Sequence, residues 1–105
     1  MSIFSFFKSI DINQGINEYK NTPGAVLVDV RTTQEYKKGH IPESKNIPLQ
    51  SLEDQADKIL KKDDVLFVYC RSGSRSKQAT HMLKQMGYSN VKNIGGILDY
   101  KGKME

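Results

Sequence analysis

The chain has 105 residues, of which 37% are hydrophobic and 27% charged, with a formal net charge of +4. This describes one domain over residues 1–105, large enough for a modest core and too small for two. Its lysines are scattered without aromatic interleaving, which argues against nucleic-acid binding, and its single cysteine can form no internal disulfide, which fits a reducing compartment.

The opening residues Met1 to Lys8 have apolar character but no basic residue ahead of the apolar run. The run is shorter than the ~7–15 residues of a secretory core, and nothing approaches a membrane span, so a cytoplasmic protein without a membrane partner is expected. Phe4 to Ile10 reads as a first short strand. Asp11 then suits a helix N-cap, with Gln14 placed to complete a capping box. The helix should run from Ile12 to about Lys20, bury Ile12, Ile16 and Tyr19, and end before Asn21-Thr22-Pro23-Gly24. Ala25 to Asp29 is apolar on both faces until its last residue, as buried parallel strands are.

Thr32 or Thr33 can cap a short helix that Gly39 terminates. Asn46-Ile47-Pro48-Leu49 reads as a brief extended piece. Ser51 can cap a third helix with Leu52, Ala56, Ile59 and Leu60 on one face, and Asp63-Asp64 turns the chain into Val65-Leu66-Phe67-Val68-Tyr69, a buried strand. A helix with Ala79, Met82, Leu83 and Met86 at helical spacing follows, and Gly87 suits its C-cap. Val91 to Ile94 should be the last strand, with Gly95-Gly96 turning the chain into a final short helix through Leu98 and Tyr100. Strands and helices alternate, so the expected class is α/β with a mainly parallel sheet.

Chemistry concentrates between the central strand and its following helix, in Cys70-Arg71-Ser72-Gly73-Ser74-Arg75-Ser76. A small-residue loop ahead of a helix N-terminus is an anion cradle, because its N–H groups point inward and the helix dipole adds positive charge. A thiol there should be acidified from ~8.5 toward the ~3.5–7.5 range of activated cysteines. A lone cysteine at a strand end can also be a small buried hydrophobe. Arginine decides between the two readings: the chain has only three among its sixteen basic residues, and two of them, Arg71 and Arg75, flank this loop. Arginine's fork suits an oxyanion and its fixed charge favours a thiolate. The residues therefore point to sulfur chemistry at Cys70.

Three separated blocks, Asp29-Val30-Arg31 with Glu35-Tyr36 and Gly39-His40-Ile41-Pro42, then Asn46-Ile47-Pro48, then Tyr69 to Ser76, occur in the order found in the single-domain rhodaneses. The chain resembles that sulfurtransferase family from about Ala25 to Gly102, and Gly95-Gly96 matches its C-terminal glycine pair. Tyr100 stands where the family often has tryptophan, and Ser44 where alanine is frequent. The resemblance implies a rhodanese-like fold, a five-stranded and mostly parallel sheet flanked by helices. It implies that Cys70 is the nucleophile and carries a sulfane sulfur as a persulfide. It assigns the N–H cradle to Arg71, Ser72, Gly73, Ser74 and Arg75, with Arg71 and Arg75 meeting a small anionic donor such as thiosulfate. The acceptor would be cyanide or a thiol, protein thiols included. Asp29, Arg31 and Glu35 belong to the family pattern and are expected to hold the fold by ion pairing.

No cofactor and no metal site is expected, since one cysteine and two distant histidines do not make one. His81 is expected to be exposed, and His40 to be structural. Two other classes share these residues: a non-catalytic binding module on the same fold, and a cysteine-dependent phosphatase or arsenate reductase. Cysteine phosphatases resemble this loop but place five residues between cysteine and arginine, whereas four separate Cys70 from Arg75.

Overall fold

The computed structural model describes residues 11–105. Helix α1, Ile12–Lys20, is capped by Asp11, whose carboxylate accepts from the N–H of Asn13 rather than from the residue after it, so Gln14 completes no box. Ile12 and Ile16 are buried and Tyr19 packs at the edge of the same cluster. Strand β1, Val26–Asp29, leads to α2, Thr33–Lys38. Thr32 caps α2 in a full capping box with Glu35, and Gly39 ends it.

Strand β2, Lys45–Asn46, is followed by a 3₁₀ turn, Leu49–Ser51, and by α3, Leu52–Ile59. Ser51 does not cap α3: its hydroxyl donates to the Pro48 carbonyl at 3.2 Å, within the 3₁₀ turn that leads into the helix. Leu52, Ala56 and Leu60 face inward, but Ile59 is 41% exposed because the helix ends there and Leu60 turns into the core in extended conformation. Strand β3 is Val65–Cys70, α4 is Ser74–Gln85, and β4 is Asn90–Gly96, followed by a 3₁₀ turn over Ile97–Asp99.

The strands form one parallel sheet in the order β2-β1-β3-β4. The expected class is observed, with four strands among the described residues rather than five. The strand read over residues 4–10 lies outside them. Alternation along β3 divides the core: Leu66, Val68 and Cys70 point to the α3 and α4 face, Phe67 and Tyr69 to the α1 face. Gly95-Gly96 is not a turn. Both residues finish β4, paired with Tyr69 and Cys70, after a bulge in which Ile94 is the unpaired extra residue. Among the described residues no helix is long and apolar enough to cross a membrane.

Candidate active site

Cys70 is the last residue of β3, so its side chain leaves the core face at the carboxyl end of the sheet, where open parallel sheets bind ligands. Two glycines shape the loop that follows. Gly73 has φ +106°, a left-handed conformation that folds the chain back ahead of α4. Gly96 is the floor: a Cβ there would lie 2.4 Å from the Arg71 carbonyl oxygen and 2.6 Å from the Ser72 Cα. The loop can lie against β4 only because that position has no side chain.

The first turn of α4 has no side-chain cap from Gly73, which leaves helix N–H groups for another acceptor. The Cys70 sulfur takes that place. It accepts from the Gly73 N–H at 3.0 Å and lies 3.4 Å from the Ser76 hydroxyl. Burial pushes the Cys70 thiol up. Hydrogen-bond donors of the loop, the N–H groups of Ser76, Gly73 and Ser72 among them, outweigh it, so the thiol lies below its ordinary value. Acidification therefore comes from hydrogen bonds to the sulfur.

The arginines divide their work. Arg71 is exposed on the rim of the loop, free to meet a solute. Arg75 makes two parallel hydrogen bonds to Glu35, at 2.7 and 2.9 Å, which fastens the start of α4 to α2. The Arg75 contact holds the Glu35 carboxyl down at about 2, with the Thr32 contacts helping against burial. The ion pairing expected of Asp29, Arg31 and Glu35 is present, but Glu35 pairs with Arg75 while the buried Arg31 grips Asp29 at 2.7 Å and the Gly39 carbonyl at 2.7 Å.

His81 is exposed, and His40 stacks on Tyr36 with Nδ1 at 2.9 Å from the Tyr36 carbonyl, so neither serves Cys70. Among the described residues no group of three or more histidine, cysteine or acidic side chains is arranged to hold a metal ion. A cleft of about 540 Å³ lined by Ile16, Tyr19, Ile41 and Tyr100 lies across the sheet from Cys70 and contains no cysteine. The sulfur, not the larger hollow, marks the site.

Of the predicted site residues, the structure brings Cys70, Ser72 and Gly73 together at the sulfur, sets Arg71 at the rim, and ties Arg75 to Glu35. Sequence reasoning missed Ser76, whose hydroxyl oxygen lies 3.4 Å from the sulfur and whose N–H helps lower the thiol. The signal was there, because position 76 is the third residue of the helix, whose N–H an N-terminal acceptor takes. It also missed Asn93, which hydrogen-bonds Ser76 at 2.7 Å.

Residues 13–103 match the Rhodanese-like domain family. The chain is 33% identical over 106 residues to the putative sulfur carrier protein YrkF of Bacillus subtilis, covering 100% of this chain and 52% of that protein. It thus spans about half of that relative's length. It is 38% identical over 73 residues to the thiosulfate sulfurtransferase PspE of Escherichia coli, covering 69% of this chain and 70% of that one. A solved structure of a rhodanese with anions from E. coli superposes with a TM-score of 0.69 at 34% identity, over 77% of this chain and 96% of that chain. With its parallel sheet, its cysteine loop at the end of β3 and these matches, the chain belongs to the rhodanese-like domain family.

Proposed function

We propose that the protein is a sulfurtransferase in which Cys70 carries a sulfane sulfur from an anionic donor, thiosulfate or a similar compound, to cyanide or a thiol. The observation that carries this reading is the Cys70 sulfur accepting from the Gly73 N–H at 3.0 Å, with the loop and the first turn of α4 lowering its thiol below the ordinary value. Sulfur transfer needs a thiolate at neutral pH and a place for the persulfide anion, and such a cradle serves both.

The Cys70 thiolate attacks the outer sulfur of thiosulfate. A new S–S bond forms, the donor's own S–S bond breaks, and its electron pair leaves with sulfite. The product is a Cys70 persulfide anion, whose charge the loop N–H groups meet in place of lost water. Cyanide or a thiolate then attacks the outer sulfur, the Cys70–sulfur bond breaks, and its electron pair returns to Cys70. Arg71, exposed at the rim, supplies positive charge on the donor's path. The names of the sulfurtransferase relatives support the same chemistry.

Intact mass spectrometry tests it. Protein treated with thiosulfate should gain one sulfur atom, removable by cyanide, and Cys70→Ser should gain none. A protein that takes sulfur from no sulfane donor would sink the enzyme reading in favour of a binding module.

A further inference from the structure

Asn93 on β4, Ser76 in the first turn of α4 and Cys70 at the end of β3 meet on the α3 and α4 face of the sheet. Ser76 is fully buried, and its hydroxyl oxygen has four polar neighbours. Asn93 Oδ1 lies at 2.7 Å, the Gly73 carbonyl at 3.0 Å, Cys70 Sγ at 3.4 Å and the Gly95 carbonyl at 3.5 Å. The orientation of the Asn93 amide is not arbitrary. The Gly95 N–H donates to the same Oδ1 at 3.0 Å, so the oxygen rather than the nitrogen must face inward.

A hydroxyl has one proton to give. The shortest contact commits it to Asn93, and Ser76 then turns a lone pair toward Cys70 and accepts the thiol proton across 3.4 Å. That arrangement favours the neutral thiol. Turning the same hydroxyl toward the sulfur would favour the thiolate.

We propose that Asn93 is a positioning residue that holds the Ser76 hydroxyl proton off the Cys70 sulfur and so sets how readily the thiol ionises. The loop N–H groups and the α4 N-terminus draw the thiol toward ionisation, and Asn93 opposes them by competing for the one donor able to rotate. A tempered thiol is the better attacker, because nucleophilicity falls with pKa and the optimum lies near ambient pH.

The charged groups around Cys70 are fixed elsewhere. Arg75 on α4 is tied to Glu35 on α2, Asp29 on β1 is paired with Arg31, and Arg71 is exposed on the loop. From β4 this face receives Val91, Asn93 and the glycines but no charged side chain, since Lys92 pairs with Glu18 of α1 on the other face. A neutral substitution at Asn93 therefore alters the hydroxyl and leaves the field of charges in place.

The inference rests on the sulfur-transfer reading only in taking Cys70 as the reacting thiol. Its test is the pH dependence of Cys70 alkylation by iodoacetamide, which uses no sulfur donor, so failed sulfur transfer would not decide it. Asn93→Ala removes the nearest acceptor, leaves the hydroxyl shared between the Gly73 carbonyl and the sulfur, and should lower the alkylation midpoint by roughly half a pH unit. In a Ser76→Ala background the same change should leave the midpoint where that background puts it. Asn93→Asp keeps an acceptor for both Ser76 and the Gly95 N–H, adds a negative charge and should raise the midpoint. A rise with Asn93→Ala, or an equal fall with and without Ser76, overturns the proposal. Should Asn93→Ala fold poorly, Ser76→Ala decides: removing a hydroxyl that accepts from the thiol should lower the midpoint, and a rise, the mark of a hydroxyl that donates to the thiolate, would overturn the proposal.

Discussion

Arg75 and Glu35, 40 residues apart in the chain, meet in a two-pronged ion pair of 2.7 and 2.9 Å that fastens the helix behind the cysteine loop to α2. The pair gives stability a dependence on acid. Glu35 has its carboxyl lowered to about 2, so its contribution is fully present above the ordinary carboxylate range and is lost as pH falls from about 4.5 toward 2. Both side chains are about a third exposed, at 33% and 29%, so solvent screening limits the contribution to about 1–2 kcal/mol. Urea unfolding of the wild type and Glu35→Gln should differ by that amount at neutral pH and converge near pH 2. A difference unchanged across that range would mean that the pair does not stabilise the fold.

Gly96 beneath the loop allows a sharper test. Gly96→Ala puts a methyl group into the backbone of Arg71 and Ser72, neither of which is a flexible side-chain end. The loop must lift, costing ~1–3 kcal/mol of stability, and the N–H groups must leave their positions around the sulfur. Sulfur uptake by the folded variant should fall more than about tenfold, equivalent to ~1.4 kcal/mol. Full activity in that variant would show that the close approach is not needed for the cradle.

Arg71 is exposed, whereas Arg75 already has a carboxylate partner. Arg71→Ala should slow uptake from thiosulfate by roughly three- to tenfold, in line with ~1 kcal/mol for an exposed charge, and scarcely change uptake from a neutral organic trisulfide. The loss should shrink as salt is raised. Equal losses with both donors, measured as initial rates of persulfide formation, would place Arg71 outside donor recognition.

The loop should also discriminate between sulfur and phosphorus. Four residues separate Cys70 from Arg75, and the guanidinium that a phosphoryl group would need is committed to Glu35. Each phosphoryl oxygen left without a donor costs ~1–3 kcal/mol. Hydrolysis of aryl phosphates should therefore be negligible beside sulfur transfer. Robust phosphatase turnover, abolished by Cys70→Ser, would overturn the sulfur reading.

Local order in the chain was enough to place the helices and the cysteine loop. Asp11 before Ile12, Thr32 three residues ahead of Glu35, and Gly87 after Met86 mark ends that depend only on neighbouring backbone groups. Cys70 at the end of five apolar or aromatic residues was legible for the same reason, because strand, loop and helix follow one another directly. What needed tertiary structure were relations set by strand register and helix docking. Gly95 and Gly96 read as a turn until pairing with Tyr69 and Cys70 made them the end of β4 and the floor of the loop. Glu35 read as a partner of Asp29 and Arg31, and Arg75 as a contact for the donor, until α2 and α4 came together, and Asn93 looked like an ordinary strand residue until α4 packed over it. A sequence pattern carries the period of an element and the chemistry of its ends. Which side chain meets which across the sheet is decided by packing, and at this site packing brings Asn93 to the Ser76 hydroxyl beside Cys70.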